Sequence, residues 1–241
     1  MIHSEEYEVS WHDTDASRNI KVSALIRLMQ ETANKHCDKN GLPLEQLRDV
    51  RGLAFFLSKI AVNIYDELKA YDAVRVETWI SDGKGFSFPR CFRVWKDNRI
   101  IAEAVSIWAL IRLSDHSLVK CTDFSYGFSS EPVLEIEAPL RVHGSLEGEL
   151  VCSMTRKVLW SDIDYNWHMN NTHYPDWICD AIKDMGQRTV SSVTISYLRE
   201  ARFDEEMQIQ LYRRSESEFY FQMTGPEGIC SEARLVAPVR K

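Results

Sequence analysis

The sequence predicts an α+β protein made of two similar units, each with one long helix and a run of antiparallel strands. Three observations support this. In each half of the 241 residues a helix-like segment precedes a series of strand-like segments. A polar pattern recurs before each helix. Between the halves, residues 129–148 are rich in proline and glycine and show little periodicity. We place a linker at 136–148, which leaves units of 1–135 and 149–241.

The first half starts with an alternating, strand-like pattern at residues 5–11 and a polar turn at 12–19. A helix is predicted over 23–40, because apolar residues recur at helical spacing and Gly41 follows as a stop. Four strand-like runs come next, at 53–65, 73–82, 86–95 and 100–113. Short polar segments between the last three predict hairpin turns.

The second half repeats this order. A strand is predicted at 150–160, then a polar turn, then a helix over 172–185 that Gly186 ends. Asn170, Asn171 and Thr172 supply oxygens suited to an N-cap. The remaining strand-like segments are 189–199, 207–212, 218–224 and 230–238.

An internal repeat relates the two polar turns. Five residues recur after a constant separation of 149 residues: Trp11, Asp13, Asp15, Ile20 and Ser23 match Trp160, Asp162, Asp164, Met169 and Thr172. Within this repeat, Ser17 and Asn19 stand where the second half has Asn166 and His168. A second match, at a separation of 132, aligns Tyr65 with Tyr197 and sets Leu68 opposite Glu200. This comparison predicts that the second unit carries the catalytic residues and that the first has a structural or substrate-binding role.

Asp164, Asn166 and His168 alternate along the second turn. If the backbone there is extended, their side chains share one face. The helix that follows would direct its free N–H groups toward the same place, which suits a developing oxyanion. Each residue also has a structural interpretation. Asp164 and Asn166 are common turn formers, and a single histidine is more often structural than catalytic.

Composition excludes several functions. A formal charge of −7 argues against general nucleic-acid binding, and no apolar run reaches membrane-spanning length. Without an export signal at the start, we expect a cytoplasmic protein whose six scattered cysteines are reduced. We expect no metal site, because His168 and His173 are poorly spaced for joint ligation.

The pattern Asp164-x-Asn166-x-His168-x-Asn170-Asn171, beside a helix-and-strand unit that occurs twice, resembles the hotdog fold of the acyl-acyl-carrier-protein (acyl-ACP) thioesterases. The resemblance covers most of the chain, including the segments 30–33, 74–79, 104–113 and 195–200. It implies two tandem hotdog domains, each a long helix wrapped by an antiparallel sheet. The domain at 1–135 would bind the acyl chain and be catalytically degenerate, and the domain at 149–241 would be catalytic.

The resemblance assigns catalysis to Asp164, Asn166, His168 and Glu200. The implied reaction is hydrolysis of fatty acyl-ACP to free fatty acid and ACP, which terminates chain elongation without a cofactor or metal. Glu200 would activate water with the help of His168, or attack the thioester itself; both routes stay open. Many relatives have a cysteine after the glutamate, where this chain has Ala201. The chain also lacks the plastid-targeting extension of plant members, which suggests the bacterial branch.

An acyl chain needs an apolar tunnel, and the substrate-binding residues expected for it and for the thioester are Leu25, Leu28, Met29, Phe56, Leu68, Asn170 and Asn171. The apolar members could equally form the core. Acidic ACP would need a basic surface, for which the candidates are Lys59, Lys69, Arg188, Arg199, Arg202, Arg213 and Arg214. The resemblance also implies a homodimer, since hotdog sheets often pair edge to edge; the alternative is that the two fused copies satisfy that edge within one chain. The alternatives are an acyl-CoA thioesterase, a hotdog 3-hydroxyacyl-thioester dehydratase and a non-catalytic acyl-binding protein.

Overall fold

The computed structural model describes residues 1–142 and 148–240. Within them, one antiparallel sheet of eleven strands carries three α-helices. Residues 143–147, part of the predicted linker, lie outside the described residues.

The first half contains the predicted helix and strands, with two additions. Its elements are β1 (His3–Glu8), α1 (Val22–Lys39), α2 (Leu44–Asp49), β2 (Leu53–Ile64), β3 (Ala73–Ile80), β4 (Phe88–Lys96), β5 (Arg99–Arg112) and β6 (Leu118–Val119). The short helix α2 and the short strand β6 were not predicted. α2 begins after Pro43, and of its six residues only Leu47 is fully buried.

The second half contains β7 (Glu149–Lys157), α3 (Tyr174–Asp180), β8 (Ser192–Tyr197), β9 (Glu206–Arg213), β10 (Glu218–Gly225) and β11 (Gly228–Val236). The prediction of a long helix over 172–185 was wrong, because α3 has only seven residues. Beyond it the chain tightens into turns. The Ile182 N–H donates to the Cys179 carbonyl at 3.0 Å, three residues back, in place of the four-residue step of an α-helix.

The order of strands shows that the two halves are equivalent. The sheet runs β1-β3-β4-β5-β2-β8-β11-β10-β9-β7, so the second half repeats the first in reverse order about the β2–β8 pair. The backbone of β2 pairs with β8 from Lys59↔Ser196 to Asn63↔Ser192. The halves therefore share one continuous sheet.

The helices cover one apolar core that both halves build. α1 buries Leu25, Ile26 and Met29 completely, and α3 buries Trp177 and Ile178. These side chains belong to a single cluster of buried residues that includes strands from both halves. Among the helices of the described part of the chain, none has both the length and the apolar composition needed to cross a membrane.

The two polar turns have the same backbone, which confirms the repeat at a separation of 149 residues. Each follows a 3₁₀ turn, at Trp11–Asp13 and Trp160–Asp162. Arg18 and Trp167 occupy the same left-handed position, with φ of 68° and 66°.

The match at 132 residues was wrong by one position. The Ile20 N–H donates to the Leu68 carbonyl at 2.7 Å, and the Met169 N–H donates to the Ala201 carbonyl at 2.8 Å. These equivalent backbone hydrogen bonds place Leu68 opposite Ala201, and hence Glu67 opposite Glu200. The alignment had been made by matching identical residues. It was wrong because equivalence between strands depends on their register in the sheet and not on residue identity.

Candidate active site

The second turn is a tight hairpin, and the expectation of an extended backbone there was wrong. The Asp164 N–H donates to the His168 carbonyl at 3.0 Å, and the Trp167 N–H donates back to the Asp164 carbonyl at 3.0 Å. The Asp164 carboxylate accepts the Asn166 backbone N–H at 2.8 Å. Asp164 therefore stabilises the turn, as Asp15 does in the first half by accepting the Ser17 N–H at 2.8 Å.

His168 and Glu200 are in contact beside this turn. The turn sets His168 beside the segment after β8, where its backbone bridges to Arg202. Its Nε2 lies 2.9 Å from Glu200 Oε2, with 26% of the imidazole side chain and 38% of the glutamate side chain exposed. An imidazole and a carboxylate in contact and open to solvent can accept, hold and return a proton.

Asn166 is held by Arg48, a residue that sequence reasoning missed. The Arg48 guanidinium, on α2 of the first half, donates to Asn166 Oδ1. It also lies 5.3 Å from the ring centre of Tyr165. Because a guanidinium only donates, it fixes the oxygen end of the amide and leaves Asn166 Nδ2 as the end that can serve a ligand. The sequence feature that could have indicated the helix carrying Arg48 is Pro43 followed by a short segment of mixed apolar and polar residues.

Asn170 and Asn171 lie next to the turn, and one oxygen of each accepts hydrogen bonds from within the protein. Asn170 Oδ1 accepts the Thr172 N–H at 3.0 Å and the Thr172 hydroxyl at 2.9 Å, which caps a 3₁₀ turn at Asn171–His173. The Asn171 carbonyl accepts the Tyr197 hydroxyl at 3.0 Å. These contacts fix the start of α3 relative to β8.

One cysteine thiol lies next to the backbone of Glu200. Cys230 is buried, and its Sγ lies 4.0 Å from the Glu200 carbonyl oxygen. Burial raises the pKa of this thiol above its ordinary value, which keeps it protonated and a poor nucleophile. Among the described residues, no group of three or more His, Cys, Asp and Glu side chains could hold a metal ion.

The structure separates the apolar residues predicted to line one tunnel. Leu25 and Leu68 line a cavity of about 830 Å³ that opens at the first turn, beside Asp15 and Asn19. Leu28, Met29 and Phe56 are not among its lining residues; Met29 is fully buried and the other two are partly buried. The crevice bordered by Glu200 and Cys230 measures only about 10 Å³. That is roughly the space of one water molecule.

The basic residues predicted for ACP docking differ in how exposed their side chains are to solvent. Arg199 and Arg202 are exposed beside Glu200, and Arg202 lies 3.8 Å from its carboxylate. Arg188 is only 4% exposed and is paired with Asp184 at 2.7 Å, so its prediction as a docking residue was wrong. Its guanidinium also donates to the backbone carbonyls of Glu216 and Ala237, which explains its burial.

Family models match both halves of the chain. Residues 1–124 match the model described as the acyl-ACP thioesterase N-terminal domain, and residues 151–228 match the acyl-ACP thioesterase C-terminal domain. A chloroplastic palmitoyl-acyl carrier protein thioesterase from Gossypium hirsutum is 26% identical over 226 residues, which cover 86% of this chain and 54% of that protein. The chain spans just over half the length of this relative and of similar plant thioesterases.

Solved structures share the fold over nearly the whole chain. An acyl-ACP thioesterase from Bacteroides thetaiotaomicron superposes with a TM-score of 0.86 at 21% identity, covering 98% of this chain and 97% of its own. A 12:0-ACP thioesterase from Umbellularia californica gives a TM-score of 0.87 at 17% identity, covering 99% and 98%. At these identities the likeness establishes the large antiparallel sheet with few helices.

Proposed function

The chain belongs to the acyl-ACP thioesterase family, and on that premise we propose that it hydrolyses fatty acyl-ACP to free fatty acid and ACP, ending chain elongation. The observation that carries this proposal is the contact of His168 Nε2 with Glu200 Oε2 at 2.9 Å, on an exposed turn. The architecture is a tandem hotdog, in which the domain at 149–241 is catalytic. The domain at 1–135 binds the acyl chain, and residues 136–148 link the two.

In this proposal Glu200 acts as a general base on water. The water oxygen forms a bond to the thioester carbon as its proton passes to Glu200, the C–S bond breaks, and the proton then reaches the departing thiolate. His168 orients the carboxylate through its Nε2 contact. Glu200 Oε2 takes part in that contact, and the partial exposure of the side chain leaves room for water at the other oxygen.

Asn166 supplies a donor for the oxyanion. Arg48 holds Asn166 Oδ1, so the Nδ2 end is available to the carbonyl oxygen as negative charge develops there. Asp164 acts indirectly by keeping the turn in shape through its contact with the Asn166 N–H.

In this proposal the acyl chain lies along the first half of the protein. The carrier protein docks on the exposed surface beside Glu200. α1 contacts the 3₁₀ turn at Asn171–His173, and in this proposal the acyl chain extends from the site along α1, with Leu28 and Met29 as its expected contacts. Exposed Arg199 and Arg202 flank Glu200 and offer positive charge to acidic ACP.

The test is a thiol-release assay with a series of acyl-ACP chain lengths and the same acyl groups on CoA. We expect faster turnover on ACP, and a loss of about 10²–10⁴ in rate for Glu200→Gln and His168→Ala. Glu227→Gln is the matched control, since Glu227 is an exposed carboxylate nearby that pairs with Arg199 at 3.7 Å. Full activity in both site variants would refute the site.

The same assay separates the rival reactions and the two hydrolytic routes. Preference for CoA would indicate an acyl-CoA thioesterase. Consumption of a 3-hydroxyacyl substrate without thiol release would indicate a dehydratase. A single turnover in H₂¹⁸O that labels the Glu200 carboxylate would replace the general-base route with direct attack by Glu200.

A further inference from the structure

The first half keeps the shape of the site but not its chemistry. Asn19 stands at the position of His168 and Glu67 at that of Glu200, and Asn19 Nδ2 donates to Glu67 Oε1 at 2.9 Å. The Asn19 N–H also donates to Asp15 at 3.1 Å, which completes the same turn. A carboxamide does not change its protonation state near neutral pH, so this pair is suited to binding and not to acid–base catalysis.

A cavity opens at this pair and not at the catalytic one. It measures about 830 Å³, within the range of small-molecule sites. Both halves build it: the first contributes its turn and the end of β2, and the second contributes α3 and the turns that follow. The early end of α3 therefore shapes the cavity, because Met185 and Gly186 line it from those turns.

The interior of the cavity is apolar. Leu25, Leu68 and Ile101 are each at most 2% exposed, and Ile182 and Val190 face them from the second half. Cys179 also lines the wall, and burial raises the pKa of its thiol to about 12, so it stays uncharged. Such walls suit a hydrocarbon chain.

The polar end of the cavity contains a hydrogen-bond acceptor that has no partner among the described residues. Asn19 is 7% exposed, and its Oδ1 is buried without a partner among the described residues. Because Nδ2 is held by Glu67, the amide cannot turn its donor end toward a ligand. An unpaired buried acceptor carries a free-energy cost that a donating ligand would remove.

The charges beside Asn19 disfavour an anionic head group there. Asp15 accepts the Asn19 backbone N–H at 3.1 Å, and Glu67 accepts a hydrogen bond from Asn19 Nδ2 at 2.9 Å. The cations that line the cavity are Lys21, Arg156, Arg188 and Arg240, of which Arg156 is paired with Asp180 and Arg188 with Asp184, each at 2.7 Å. An anion at Asn19 Oδ1 would therefore lie next to two carboxylates.

We propose that this cavity is a second ligand site, separate from the catalytic pair, for an uncharged single-chain amphiphile whose head group donates a hydrogen bond to Asn19 Oδ1. Long-chain alcohols and primary amides share this chemistry. The site goes beyond the proposed thioesterase function and requires no turnover.

The test is calorimetric titration of the full chain at pH 8 with decan-1-ol, decanamide and decanoate. We expect one site per chain for at least one of the two neutral ligands, with the better of them showing which head group is preferred. Decanoate, matched in length but ionised, should bind at least about tenfold more weakly. Equal affinity for decanoate and the neutral ligands, or no binding of either neutral ligand, would overturn the proposal.

Substitutions at the cavity test where the neutral ligand binds. Asn19→Leu should weaken the better neutral ligand by about tenfold and reduce its advantage over decanoate, as expected for one lost hydrogen bond. Asn34→Leu, the same exchange at an exposed position of α1, should bind as wild type. Ile182→Trp should narrow the apolar part of the cavity and weaken binding of the neutral ligand, which gives a second reading if Asn19→Leu lowers the melting temperature.

The two sites are distinguished by Glu200→Gln. This variant should bind the neutral ligand with unchanged affinity, whether or not the thioesterase proposal holds. Loss of binding in Glu200→Gln together with normal binding in Asn19→Leu would place the ligand at the catalytic turn instead.

Discussion

His36 on α1 is a buried titratable residue next to a buried cation. Its Nδ1 lies 3.2 Å from Arg90 Nη1. The Arg90 guanidinium also donates to the Thr78 hydroxyl and to the Cys37 sulfur. Burial, together with the charges of Arg90, His3 and the Met1 amino group, lowers the pKa of His36 to about 3. The imidazole is therefore neutral in the folded protein and accepts the guanidinium N–H.

This predicts acid sensitivity that depends on His36. The unfolded chain takes up a proton at this residue below its ordinary pKa of about 6.5, whereas the folded chain does not until about pH 3. Its contribution to stability is thus complete above pH 6.5 and is lost as pH falls toward 3, by at most about 1.4 kcal/mol per pH unit. We expect His36→Gln, which keeps an acceptor for Arg90, to flatten the dependence of the free energy of unfolding on pH between 6.5 and 4. Urea titrations across this range measure it; an unchanged slope would mean that other groups control acid unfolding.

The site residues show how far sequence reasoning reaches at this scale. The turn pattern and the comparison of the two halves singled out Asp164, Asn166, His168 and Glu200 as candidates, and the resemblance assigned catalysis to them. The partners were not predictable, because a tight turn and not an extended strand orients these side chains. Asp164 therefore bonds to the Asn166 backbone, and the equivalence of Glu67 with Glu200 came only from backbone pairing.

The two short helices are the elements that sequence patterns described least well. α2 has too few residues to show helical periodicity, and the pattern over 172–185 continues past the point where α3 ends. Ala181 and Ile182 remain buried after that end, so their apolar character reflects packing in turns and not a helix face. Strand patterns were more informative, because most alternating segments lie in the sheet.

α2 connects the first half to the second polar turn, so the contribution of this helix to the proposed site can be tested. Arg48 is the contact that orients the Asn166 amide. We expect Arg48→Met to lower kcat by about 10–100-fold with a smaller change in KM, since the Asn166 donor acts mainly on the transition state. Arg48→Lys should recover part of the loss. Arg51→Met, which removes a guanidinium stacked 5.3 Å from Phe124, is the control and should have little effect on kcat.

A double-mutant cycle distinguishes positioning from general damage to the fold. If Arg48 acts through Asn166, then Arg48→Met should cause little further loss in an Asn166→Ala background. Additive losses in kcat would show that α2 supports the site by another route.

At the scale of the whole molecule, the repeated units are fused through their sheets and their core. The β2–β8 pair joins the two halves, and the main apolar cluster contains residues from both. Sequence reasoning predicted two units, but it could not predict their reversed strand order or the cavity between them, because pairing between distant strands leaves no local signal. The cavity arises only when the turn of one half meets α3 of the other.

Fusion of this kind predicts that the halves unfold together. Ile26 in the first half and Ile209 in the second are both fully buried in the shared cluster. We expect Ile26→Val and Ile209→Val each to cost roughly 0.5–1.5 kcal/mol. For a chain of this size the single melting temperature should fall by about 1–6 °C in either variant. Scanning calorimetry should show one transition in both, with equal calorimetric and van't Hoff enthalpies. Two transitions, with only one displaced by each substitution, would show that the halves are independent domains despite their common sheet.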